Sequence, residues 1–321
     1  MLDGVLAALA WFGRFSDPLA WLVVATFTAG AVLSWRERRF ARPVTVAAWV
    51  LFGVFWLSVI HHFAFVQKSF IEGIGTLIAV PASLYAGLLL ARGRDSLFVL
   101  SRAIAAMGLI FFPFETIPIL REFLIETVTR QTAFLIDLIG VDPTVVSGTQ
   151  VPTGTHPDYQ STFWFVEGDH TITYTILIAC TGVGSMAIFG GLIAATAAPL
   201  SRKLRALAVS LPVIYGLNLV RNVFIAVGFG TQRFQFFPDI VLSLFGANDP
   251  YKVSYFIADR VLAQSLSVVA MVAITWVVIH ELPEIMVVIE DVLYMATGTE
   301  YDLQRALGVG MRADGSGSGG E

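Results

Sequence analysis

A single cysteine, Cys180, stands in the stretch ACTGVGSM, residues 179–186, inside a run of apolar side chains. One thiol forms no internal disulfide and builds no metal site alone, so Cys180 is either a core filler or a nucleophile. Two arginines sharpen that choice. Arg221 lies in NLVRNVFIAVGFG and Arg260 in FIADRVLAQS, both inside segments otherwise fit for a bilayer. A charge near a bilayer centre costs roughly 2.5–3.5 kcal/mol on insertion scales, so each asks for a reason. Taken singly, each residue has a plain reading: Cys180 as a small apolar filler, Arg260 as an interfacial anchor, and Arg221 as a structural partner of Asn218, Asn222 or Glu115. Taken together, they describe a nucleophile. The thiolate is the reactive form of cysteine and nearby cations favour it, while burial in hydrocarbon opposes it, so one arginine at contact distance would have to outweigh desolvation. Gly182 and Gly184 either let neighbouring backbone approach the thiol or simply pack a helix.

The elements that must bring these residues together follow from composition. The chain is 56% hydrophobic and 14% charged, with a mean hydropathy of +0.75. Soluble domains carry nearer a quarter charged residues, so an integral membrane protein is expected. The apolar runs are separate and each about twenty residues long, enough for one helical span. They predict spans at 18–35, 44–66, 72–91, 97–118, 174–200, 206–229 and 260–280, with residues 1–17 an interfacial helix or part of an eighth. No cleavable signal peptide is expected, because Met1–Ala10 lacks a basic start and a small-residue exit. Nothing resembles a nucleic-acid patch, a Walker loop or a Rossmann fingerprint. The net charge of −4 points to no partner.

Basic residues set the orientation. Arg36, Arg38, Arg39 and Arg42 follow the first span, Arg92, Arg94 and Arg102 lie around the third loop, and Arg202, Lys203 and Arg205 precede the sixth span. Alternating spans put all three groups on one face, read as cytoplasmic. The opposite face then receives residues 119–173 and 230–259. The first of these holds a helix in ILREFLIETVTRQTAFLIDLIG, a Gly/Pro/Thr-rich stretch, and STFWFVEGDHTITYTI. That last stretch alternates about Glu167-Gly168-Asp169 and predicts a β-hairpin leading straight into the fifth span. The expected fold class is therefore all-α, a polytopic transmembrane bundle with a small extracellular β-hairpin. Its domain runs over 1–280, followed by a cytoplasmic amphipathic helix and flexible tail over 281–321. On this topology Cys180, Arg221 and Arg260 all fall in the outer leaflet, Arg221 about 12 Å and Cys180 about 9 Å deep.

Together ACTGVGSM, NLVRN and ADR resemble the exosortase/archaeosortase family. Its signature is a Cys in a membrane helix, an Arg in the next, and a His or Arg opening a later one. Here Arg221 follows Cys180 by 41 residues and Arg260 follows Arg221 by 39. An arginine at the third position is the archaeal pattern. The resemblance implies a sortase-like cysteine transpeptidase in the cell membrane, with its active site on the extracellular side. Such an enzyme recognises the C-terminal sorting signal of secreted or S-layer proteins, of the Pro-Gly-Phe type in the archaeal branch. It is implied to transfer the new C-terminus to a membrane lipid. The partners are thus a sorting-signal helix and a lipid acceptor; no cofactor, metal or nucleic acid is expected, and the oligomeric state is open. Cys180, Arg221 and Arg260 are the implied catalytic residues.

Arginine does not deprotonate in proteins, so neither arginine is a general base. The supporting candidates are Asp259, His61, His62, His170 and Asn218. Asp259 precedes Arg260 by one residue, and on a regular helix their side chains diverge by about 100°, so a contact requires an irregular helix start. Other readings are a hydrolytic cysteine endopeptidase, a serine protease using Ser185, and an anion transporter using the two arginines.

Overall fold

The computed structural model describes residues 2–36, 38–66, 70–151, 158–167 and 170–307. The predicted hairpin tip at Gly168-Asp169, part of the Gly/Pro/Thr-rich stretch (152–157) and the tail beyond 307 lie outside the described residues.

The helices in order are α1 (Leu2–Phe12), α2 (Ser16–Arg36), α3 (Arg38–His61), α4 (Phe70–Ala91), α5 (Leu97–Thr116) and α6 (Pro118–Leu138). Strands β1 (Thr144–Ser147), β2 (Gln160–Glu167) and β3 (His170–Thr175) follow. Then come α7 (Val183–Ala195), α8 (Leu200–Gly230), α9 (Pro238–Phe245), α10 (Lys252–Tyr255), α11 (Gln264–Glu281), α12 (Met286–Thr297) and α13 (Leu303–Leu307). A π-helical segment, Phe256–Ala263, joins α10 to α11, and another, His62–Val66, extends α3.

Among the described residues six helical stretches are long and apolar enough to cross a membrane: Leu6–Arg36, Arg39–Val66, Glu72–Ala91, Leu97–Thr116, Leu200–Gly230 and Lys252–Glu281. The N-terminal residues run on into the first of these. The predicted fifth span, 174–200, has a different form. It divides into the end of β3, a 3₁₀ turn at Ile178–Thr181 and the short α7. The chain is a multi-pass membrane protein built as an all-α bundle with a small antiparallel sheet. Its outer surface carries Leu22, Leu77, Leu109, Val220 and Val272, all exposed, as a lipid-facing surface requires.

The sheet is ordered β1-β2-β3. The β2–β3 hairpin is the predicted one, with Glu167 opposite His170 and Thr162 opposite Thr175. Strand β1 was not expected; it pairs Val145 with Phe163 and shifts register between Val146 and Ser147. Alternation sends Phe163, Phe165, Ile172 and Tyr174 inward against Ile125, Val128 and Ile136 of α6 and Ile225, Ala226 and Val227 of α8. The approach is close: a Cβ on Gly230 would stand 2.5 Å from the Phe165 ring. Helix α6 thus covers the sheet.

A second core joins α2, α3, α4 and α5 through Phe27, Trp49, Leu90 and Leu97, with Trp49 donating its indole N–H to Ser101 at 2.9 Å. The end carrying the basic loops is tied by ion pairs. Arg42 meets Asp95 at 2.6 Å and Arg94 meets Asp291 at 2.7 Å, while Arg202 pairs with Glu284. The three basic groups and the acidic segment around α12 therefore share one end.

Candidate active site

Cys180 lies not within a helix but in the 3₁₀ turn between β3 and α7. Two local features shape that turn. Gly182 takes φ +78°, the left-handed region that favours glycine. The Cys180 N–H donates to the Leu177 carbonyl at 2.8 Å, and the Thr181 hydroxyl donates to the Ile178 carbonyl at 2.7 Å. Helix α8 then clamps it from outside. The side-chain amides of Asn218 and Asn222 donate to the Cys180 carbonyl at 2.7 and 2.8 Å. Arg221 projects from the same stretch of α8, since positions three and four apart share a helix face. Of the two glycines singled out in sequence, Gly182 abuts Asn218, where a Cβ would stand 3.0 Å from its amide carbon, whereas Gly184 has open space.

Arg221 does not pair with Asn218, Asn222 or Glu115. Its Nη2 donates to Asp259 Oδ1 at 2.6 Å. The other oxygen of Asp259 faces Arg260 Nε at 3.5 Å, so one carboxylate stands between two guanidiniums. The contact arises because the chain here is π-helical, the irregular start that a contact between adjacent residues needs. Arg260 Nη2 also donates to the Tyr255 hydroxyl at 3.5 Å. Arg260 is largely buried, with 17% of its side chain exposed, which is deeper than an interfacial anchor.

Cys180, Arg221, Asp259 and Arg260 line one cavity of about 540 Å³. The buried Tyr174 of β3 lines it as well, and its hydroxyl donates to Asn222 Oδ1 at 3.5 Å. At the mouth His170 stacks on Tyr251 with ring centres 3.7 Å apart. Glu72, Asp249 and Lys252 complete the charged lining. The cavity thus combines a thiol, two guanidiniums and one shared carboxylate, with one wall of backbone from the sheet. Among the described residues no cluster of three metal-ligating side chains occurs.

The family model for transmembrane exosortases matches residues 15–247. A protein named Archaeosortase A from Haloferax volcanii is 54% identical over 307 residues, covering 92% of this chain and 99% of that protein. A second, from Natronomonas pharaonis, is 44% identical over 282 residues, covering 87% and 88%. The chain belongs to the transmembrane exosortase family. With such relatives over most of its length, it is a membrane-embedded processing enzyme. No solved structure matches it.

Other residues considered for the site stand elsewhere in this exosortase. His61 and His62 do not line the cavity; their rings lie against Phe65 and Phe63. Ser185 does not line it either. Tyr174, Tyr255, Tyr251, Glu72 and Lys252 went unnoticed in the sequence. Tyr174 alone carried a signal, since it occupies an inward position of an alternating strand.

Proposed function

We propose that this exosortase is a sortase-like cysteine transpeptidase. It cleaves the C-terminal sorting signal of secreted proteins, of the Pro-Gly-Phe type, and transfers the new C-terminus to a membrane lipid. The observation that carries this reading is the single cavity lined by Cys180, Arg221 and Arg260. The basic loops gathered at one end of the bundle support an extracellular active site, because positive loops stay inside.

The Cys180 sulfur attacks the scissile carbonyl, the C–N bond breaks, and the signal helix leaves as an amine. The sulfur keeps the acyl group as a thioester. An amine or hydroxyl of a lipid head group then attacks, the C–S bond breaks, and the proton the head group loses returns to the sulfur. Arg221 shares the cavity with Cys180 and sits beside the asparagines that hold the Cys180 carbonyl, so it is assigned the thiolate. Arg260, across Asp259, is assigned the developing oxyanion. The proton shed by the thiol passes to the leaving amine through Asp259, His170 or cavity water. An apolar groove of about 630 Å³, lined by Phe65, Gly73, Leu77 and Leu244, runs beside the site. Its wall residue Phe245 stacks on Phe256 of the catalytic cavity with ring centres 4.3 Å apart. A guest with a membrane-embedded helix and a polar cleavage motif fits that pairing of surfaces.

The test is mass spectrometry of a tagged substrate processed in membranes. Lipid mass on the new C-terminus supports transfer, a free carboxylate reassigns the enzyme as a hydrolytic endopeptidase, and intact substrate processing by Cys180→Ala overturns the thioester.

A further inference from the structure

A second cavity, of about 440 Å³, opens at the end of the bundle that carries the basic loops. Thr28 and Trp35 of α2, Arg102 and Leu109 of α5, the end of α7 with the chain after it, and Lys203 of α8 line it. Two of its polar atoms are buried without a hydrogen-bond partner, Arg102 Nε and Thr28 Oγ1. Arg102 belongs to a membrane-crossing helix, yet no ion pair reaches it among the described residues. Asp95, which shares a smaller pocket with it, is taken by Arg42 at 2.6 Å. Lys203 spends one donor on the Ala194 carbonyl at 2.9 Å and has two left. No carboxylate lines the cavity.

A cation left unpaired inside a span is costly, and a buried donor without a partner costs about 1–3 kcal/mol. An anion in the cavity offsets the unpaired charge. We propose that this cavity binds the phosphate-bearing head group of an anionic membrane phospholipid, seated on Arg102, Thr28 and Lys203. Basic pockets between membrane helices on the positive side take such head groups. Free phosphate shares the chemistry, but most of the lining is apolar, from Ala31 and Val32 of α2 to Ala105, Ala106 and Leu109 of α5. Val32 and Leu109 continue onto exposed helix surface, a path suited to acyl chains. A lipid there braces α7 and with it the turn that carries Cys180.

The experiment titrates phosphatidylglycerol, diacylglycerol and inorganic phosphate separately into the full-length protein in neutral detergent, with native mass spectrometry as readout. Phosphatidylglycerol binds saturably and the other two do not. Arg102→Gln weakens binding by roughly tenfold, the worth of one charge-assisted hydrogen bond, and Lys203→Gln weakens it less. Equal retention of diacylglycerol, inorganic phosphate competing away the bound lipid, or unchanged binding in both variants overturns the proposal.

Discussion

Arg221 of α8 and Asp259 of the π-helical segment meet at 2.6 Å across 38 residues of sequence, and this contact joins the helix that clamps the cysteine turn to the one that carries Arg260. Asp259→Asn leaves two guanidiniums facing each other without their carboxylate. A fully buried pair costs 3–5 kcal/mol to break; with side chains 27% and 11% exposed, about 1–3 kcal/mol is expected here. Thermal unfolding in detergent measures that loss. Cleavage of a tagged substrate falls by at least roughly tenfold, because Arg221 is no longer aimed.

Cys180→Ala abolishes processing while leaving the fold intact. The α8 clamp grips the Cys180 carbonyl rather than its sulfur, so stability stays within about 1 kcal/mol of the parent. Cys180→Ser keeps a hydroxyl but a poor nucleophile, and its processing is expected near background. Arg221→Lys also fails, since an ammonium replaces a planar fork with a point charge. A folded Cys180→Ala protein that still processes substrate contradicts this account.

The two asparagines are unequal. Asn222 is fully buried and also accepts from Tyr174. Asn222→Ala therefore costs about 1–3 kcal/mol and strands a tyrosine hydroxyl; Asn218→Ala, part-buried, costs less. Both loosen the Cys180 turn, and the same ranking is expected in processing rates and in unfolding temperature. Asn222→Asp is the harsher change, since it sets a carboxylate against the Cys180 carbonyl.

Gly182 and Gly184 separate cleanly by substitution. Gly182→Ala puts a Cβ on a backbone at φ +78°, 3.0 Å from Asn218, at a strain of roughly 1–2 kcal/mol plus the displaced clamp. Processing drops with it. Gly184→Ala meets open space in the first turn of α7, and is expected to change neither unfolding temperature nor rate. Equal effects of the two substitutions contradict the turn geometry.

Legibility tracked how local the cause was. The β2–β3 hairpin followed from alternation over adjacent residues, and its inward set, Phe163, Phe165, Ile172 and Tyr174, is buried as that pattern requires. Strand β1 escaped because four residues beside a Gly/Pro/Thr-rich loop carry no periodicity of their own; only pairing with β2 makes them a strand. The fifth span read as one run because hydropathy does not distinguish a strand-turn-helix from a helix when most residues are apolar. Gly182 was the local sign of the break, yet its spacing also suited helix packing.

The sequence by itself determined that this chain crosses a membrane several times, that its basic loops share one face, and that one thiol and two arginines stand out against apolar surroundings. Those follow from transfer free energy, which each residue carries wherever it lies. Only the tertiary structure decided that Asp259 stands between the arginines, that Asn218 and Asn222 hold the cysteine turn, and that Tyr174 reaches Asn222 inside the cavity. Each of these is a contact between distant segments, and its geometry depends on backbone irregularities, a left-handed glycine and a π-helical turn, that packing of the whole bundle selects.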